Sequence, residues 1–190
     1  MNREEILESA AQIIREKGYH AASMQDIADA VNLQKASLYH HFSSKQEILL
    51  VLLDQALDLL IERVSAVVTR DIPADEKFCL AMRVYLESLD EHAALASVLL
   101  LEHRSLDPEY HKRHIPRRDR FEKLWRDLIQ EGMESGIFQD TDPSMTARAL
   151  LGVMNWTITW YRPDGRLSIR QISDHFSTLI LEGMRSVDNG

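Results

Sequence analysis

The sequence predicts an all-α fold of about nine helices, and three observations carry that prediction. Seven Gly and five Pro in 190 residues supply too few turn formers for a sandwich or barrel of short strands. Apolar residues recur at three- and four-residue steps along almost the whole chain, which is the period of amphipathic helices. Capping signals punctuate that pattern at helix-length intervals. A chain of this length with 45% hydrophobic residues buries a real core without staples. Its single cysteine, Cys79, excludes an internal disulfide and a thiolate cluster. Lys and Arg number 22 against 30 Asp and Glu, a net charge of −8, so any polyanion site must be local rather than spread over the surface. Met1, Asn2, Arg3, Glu4 and Glu5 open the chain, where a signal peptide would be basic and then apolar. The longest apolar runs, among them residues 48–53 and 98–101, fall far short of the ~20 residues of a membrane span. The expectation is a cytoplasmic protein with no membrane partner.

Each helix has its own justification. Residues 3–17 place Ile6, Leu7, Ala10, Ile13 and Ile14 on one stripe, and Gly18 supplies a left-handed C-terminal cap. Ser23 opens a short helix reaching about residue 31, its hydroxyl placed to accept an orphan amide, with Asp26 complementing the positive helix end. Asn32 tolerates the left-handed conformation of a tight turn, and Leu33 tucks beneath it. A second short helix takes residues 35–41 and closes at Phe42. Ser44 and Glu47 form a capping box for a long helix to about residue 70, with Ile48, Leu52, Ala56 and Leu59 on one face. Beyond Pro73, Phe78, Ala81, Met82, Tyr85 and Leu89 share a stripe, and Leu95, Val98, Leu99 and Leu106 mark the next segment. Asp107 with Pro108, and Asp142 with Pro143, read as N-caps followed by proline at the first helical position. Between them Phe121, Leu124, Trp125, Leu128 and Ile129 form a stripe ending at Gly136, with Pro116 expected to kink or interrupt its early part. The last two helices run from residue 143 to about 161 and, capped by Ser168, through Ile169, Ile172, Phe176, Leu179, Ile180 and Met184.

Two short helices joined by a tight turn and braced by a preceding one form a helix-turn-helix, whose second helix enters the DNA major groove. The residue chemistry agrees. Residues 32–45 contain two lysines, two histidines and no acid, a locally positive stretch on an acidic protein. Ile27, Ala28, Val31, Leu38 and Phe42 take the buried positions, which leaves Gln34, Lys35, Ser37, Tyr39, His40 and His41 to touch nucleic acid. Ala36 permits close approach.

Met24 to Val31 (Met-Gln-Asp-Ile-Ala-Asp-Ala-Val), then Lys35 to Phe42 (Lys-Ala-Ser-Leu-Tyr-His-His-Phe) and Ser44 to Glu47 (Ser-Lys-Gln-Glu), resemble the DNA-binding signature of TetR-family transcriptional regulators over about residues 3–50. The resemblance implies that Gln34, Lys35, Ser37 and Tyr39 face base edges or flanking phosphates and that His41 and Lys45 hold the DNA backbone. It also implies that Ser23 and Met24 meet phosphate at a helix N-terminus. Asn32 and Ala36 stand where glycine is frequent in such proteins. Residues 1–47 are then the DNA-binding domain, and residues 48–190 a domain for effector binding and dimerisation. The plainer alternative is a helical interaction module that does not bind DNA.

One reading head covers too little DNA for operator specificity, so a homodimer on a palindrome is expected. Met145, Ala149, Val153 and Trp156 on one helix, with Ile172, Phe176, Leu179 and Met184 on the other, are the expected interface, unless these stripes only fill the monomer core. Gly152 and Gly183 would allow the backbones to approach closely. The resemblance further implies a chamber for a small effector that releases DNA. A basic run, Arg113, Arg117, Arg118 and Arg120 with Arg104 nearby, and an aromatic run with Trp156, Trp160 and Tyr161 suit an amphipathic anion. The aromatic run, together with residues 101–108, is similar to regulators of fatty-acid, steroid or aromatic-acid degradation, whose effectors are acyl-coenzyme A thioesters. In that reading the arginines meet phosphates. Solvated arginines and core tryptophans are the plainer reading, and a repressor of drug-efflux genes with a lipophilic effector is the functional alternative. Glu102, His103, Asp107, His111 and His114 cluster in sequence, but Pro108 and Pro116 interrupt the spacing a metal site needs. Neither a metal, nor a resident cofactor, nor an enzymatic activity is expected. Cys79 beside an apolar stripe reads as an inert thiol.

Overall fold

The protein is described by a computed structural model covering residues 2–185. Nine α-helices form its described part: α1 (Arg3–Lys17), α2 (Met24–Ala30), α3 (Lys35–His41), α4 (Lys45–Val68), α5 (Ala74–Glu91), α6 (Ala93–Glu102), α7 (Pro108–Glu134), α8 (Pro143–Trp160) and α9 (Ile169–Met184). A single 3-10 turn, His103–Ser105, joins α6 to α7. The extended backbone among these residues is one isolated bridge, Phe138 to Arg185.

Caps set the boundaries. Asn2 and Glu5 exchange bonds at the start of α1, Ser23 and Asp26 at α2, and Ser168 and Gln171 at α9. Asp142 accepts from the amides of Ser144 and Met145, and Pro143 follows at the first position of α8. Gly18 and Gly136 hold positive φ, 78° and 74°, after α1 and α7. The expected box at α4 is half-formed: Ser44 accepts from the Glu47 amide, but the Glu47 carboxylate turns to the amide and hydroxyl of Ser43.

Pro116 does not interrupt α7, which is one helix through it. Proline removes the amide that would bond the Lys112 carbonyl. Both residues are exposed, so that carbonyl lies on the wet side of the helix.

The chain divides into two compact units that do not follow sequence order. One runs up to Asp58 and takes in His92–Arg118; the other comprises Leu59–Glu91 and the chain from Asp119. In the first, α1 packs on α6 and α2, and α2 on α3, over a core of Ile6, Ile14, Ile27, Leu38, Phe42 and Leu49. The Glu102 carboxylate accepts from the Tyr19 amide, so the end of α6 completes the end of α1. In the second, α5 packs on α9 and α8, and Tyr85 stacks on Phe121 and meets Trp125 edge-on. Ile172 and Met184 are 4% and 7% exposed. They belong to this core and not to an outer face, which corrects the expected interface: α9 turns them inward.

Candidate nucleic-acid interface

The reading head is built on two conformational choices. Ser23 fixes the start of α2, while Asp26 accepts from the Ser23 amide and hydroxyl and from Lys17. The Lys17 ammonium, then the Ser23 donors, hold the Asp26 carboxyl well below the usual carboxylate range. Asn32 adopts φ 52°, and the Leu33 amide donates to the Ala28 carbonyl at 2.9 Å, which closes the turn between α2 and α3. Ile27, Ala28, Val31, Leu38 and Phe42 are all buried, as the pattern required. The other face of α3 presents Lys35, Ala36, Tyr39, His40 and His41 to solvent, with Gln34 exposed before it and Ser37 half-buried. None of Gln34, Lys35, Tyr39, His40 or His41 carries a side-chain hydrogen bond or ion pair among the described residues. A row of polar and cationic groups whose donors and acceptors are uncommitted is what a groove of base edges and phosphates requires.

Two expected contacts change character. Met24 is 7% exposed; its side chain is core, and only its backbone amide at the start of α2 can face phosphate. The Lys45 ammonium donates to the carbonyls of Tyr19 and Ala22 at 2.8 and 2.6 Å and lies 4.3 Å from the Tyr19 ring centroid. Two of its three protons are therefore committed within the chain, because the loop after α1 ends in carbonyls that no helix satisfies. Gln46 makes a similar clasp, donating to the Ser105 carbonyl and accepting from the Asp107 amide. Arg3 stacks over Phe42 at 4.6 Å and pairs with Glu47. These braces were not foreseen: their partners lie up to 61 residues away, beyond the reach of local pattern.

The arginine row lies on the exposed side of α7. Arg113, Arg117 and Arg120 are spaced four and three apart and so share a stripe. Arg113 sits 5.7 Å from the Tyr110 ring, and Arg104, Arg118 and Arg120 are exposed. Arg117 is engaged: Nη1 donates to Asp54 at 2.8 Å, and Nε donates to Asp58 at 3.1 Å. On its other oxygen Asp54 accepts from Nδ1 of His114, 2.9 Å away and 3% exposed. Sequence reading passed over Asp54 and Asp58, although two carboxylates one turn apart on an apolar helix were a visible signal.

The aromatic run does not line the interior of its own unit. Trp156 is 66% exposed and Trp160 is exposed, the latter edge-on to Phe176 at 6.4 Å. The Tyr161 hydroxyl donates to Asp90; partial burial, then the nearby carboxylate, raise its pKa. Met145, Val153 and Leu179 are also exposed, Met145 and Leu179 at 61% each, with Ala149 exposed beside them and Phe176 half-buried. A Cβ added at Gly152 or Gly183 would meet no atom. Among the described residues no group of three or more His, Cys, Asp or Glu is arranged to hold a metal ion. Glu102 serves Tyr19 and Ser105, and His114 serves Asp54. Cys79 is half-buried, and burial pushes its thiol pKa up.

With this geometry in view, the sequence pattern of "Bacterial regulatory proteins, tetR family" matches residues 6–52, and that of the "Tetracyclin repressor-like, C-terminal domain" matches residues 71–184. The chain belongs to the TetR family. Among TetR-family relatives, the HTH-type transcriptional repressor KstR2 of Mycobacterium tuberculosis is 30% identical over 96% of this chain and 92% of that protein. The crystal structure of PfmR from Thermus thermophilus is 36% identical with a TM-score of 0.87, over 93% of this chain and 97% of that one. AibR in complex with isovaleryl coenzyme A and operator DNA is 29% identical with a TM-score of 0.87, over 93% and 96%. KstR2 is named as a transcriptional repressor and PfmR as a TetR-family transcriptional regulator, neither as an enzyme. No helix among the described residues is long and apolar enough to cross a membrane.

Proposed function

We propose that this TetR-family protein is a cytoplasmic, ligand-responsive repressor that binds a palindromic operator as a homodimer and is released by an acyl-coenzyme A thioester. The observation that carries the DNA reading is the uncommitted row on α3, from Lys35 to His41, over a fully buried inner face. In this reading Gln34, Lys35, Ala36, Ser37 and Tyr39 meet base edges and the flanking backbone. His40, His41, Ser23 and the Met24 amide meet phosphates, and Lys45 braces the head with one proton left for DNA. Residues 1–47 carry this role and residues 48–190 carry dimerisation and effector binding. Met145, Ala149, Val153, Trp156 and Leu179, exposed on α8 and α9, support a two-fold interface, with Phe176 at its edge. Two recognition helices roughly 34–36 Å apart fit successive turns of one DNA face.

The thioester is supported by the cationic stripe on α7 and by AibR, whose structure holds isovaleryl coenzyme A together with operator DNA. The same arginines disfavour a cationic drug as effector. Fluorescence anisotropy on the DNA upstream of the protein's own gene tests the whole reading. Nanomolar, salt-dependent binding of a dimer is expected, reversed by octanoyl-coenzyme A but not by octanoate or free coenzyme A. No binding at low salt would reduce the protein to a helical interaction module; reversal by lipophilic cations alone would make it an efflux regulator.

A further inference from the structure

Arg117, in the middle of the basic stripe, is bonded to α4 by two carboxylates at once. Its guanidinium is a planar fork suited equally to carboxylate and to phosphate, and its side chain is 43% exposed, so it can exchange one for the other without unfolding anything. Asp54 and Asp58 differ in what they would lose. Asp54 keeps the buried His114 on its other oxygen. Asp58, itself 56% exposed, has Arg117 as its partner among the described residues and would be left bare. Two carboxylates one turn apart then repel along α4. They stand about 14 and 20 Å up the helix from Lys45 at 1.5 Å per residue, and Lys45 and Gln46 bond α4 to the loops on either side of it.

We propose that Arg117 is the exchange point of the switch. In the effector-free protein it holds α4 through Asp54 and Asp58. A phosphate-bearing effector takes it from those carboxylates, so anion binding and restraint of α4 exclude each other. The inference rests on the proposed thioester reading and adds to it the group that registers the phosphates and the bond given up for them. Arg113, one turn before on the same stripe, receives the anion jointly. By linkage, operator DNA weakens effector binding by the factor by which effector weakens operator binding.

The test is calorimetric titration of octanoyl-coenzyme A into the full-length protein without DNA, on wild type, Asp58→Asn and Arg117→Met, each checked for an unchanged melting curve. Competition predicts shifts of opposite sign. Asp58→Asn frees Arg117 and binds the thioester roughly three-fold more tightly or better, while Arg117→Met binds it roughly ten-fold more weakly or worse. Operator affinity without effector falls in both, because each breaks the restraint. An ion pair that only shapes the fold would weaken both variants for the thioester or neither. If wild type binds octanoyl-coenzyme A and Asp58→Asn binds it no more tightly, the exchange is overturned and the thioester reading stands. If wild type fails to bind it at about 1 mM, the thioester reading falls and the exchange falls with it.

Discussion

Two lysines that look alike in the sequence, Lys35 and Lys45, do different work. Lys35 is exposed on α3, so Lys35→Ala should leave the melting temperature unchanged and lower the slope of log affinity against log salt by about one. Lys45 gives two protons to carbonyls, and Lys45→Ala should cost about 2 kcal/mol of stability, read as a lower denaturant midpoint. An unchanged midpoint would mean that the clasp on Tyr19 and Ala22 contributes nothing. Asp26 supplies a pH signature at the same scale. Its folded pKa is depressed by Lys17 and Ser23, so its contribution is present above the unfolded value of 3.8 and is lost as pH falls. The wild-type melting temperature should therefore drop more steeply between pH 5 and 3 than that of Asp26→Asn; parallel curves would show that this carboxylate does not govern the acid limb. The inner face of the reading head was legible in the sequence because burial follows helical period. The role of Lys45 was not, since no pattern within α4 announces a carbonyl 26 residues upstream.

Among the helices, those with a cap at each end were readable almost to the residue. Serine, asparagine and aspartate at N-caps, and glycine after α1 and α7, bond only their immediate neighbours. Helix α7 was the exception. Proline forbids one hydrogen bond but does not forbid a helix whose buried face, through Phe121, Trp125, Leu128 and Ile129, outweighs it. The end of this helix carries a second constraint that the sequence conceals. A Cβ at Gly132 would overlap the Phe138 ring, and Phe138 packs edge-on to Phe78 while its amide returns to the Gly132 carbonyl. Gly132→Ala should destabilise the protein by about 1–3 kcal/mol in urea unfolding, despite alanine's better helix propensity. A more stable variant would show that Phe138 has room to move.

For the molecule as a whole, the proposed repressor acts as two copies on one operator. Leu179→Glu, at an exposed position, should leave the fold intact, weaken self-association about ten-fold or more in sedimentation equilibrium, and abolish cooperative operator binding. A dimer of unchanged strength would move the interface off α8 and α9. The split into two compact units was the least readable feature at this scale. Hydrophobic period finds helices but does not say which distant helix each will meet, and the pairing of α1 with α6 joins residues some eighty positions apart. That pairing bears on any attempt to build a hybrid sensor. A cut at residue 47 would transplant α1 without the surface that covers it and leave Tyr19 without its acceptor. A working chimera must carry residues 92–118 along with the recognition helices, as a discontinuous cassette spliced at three joints.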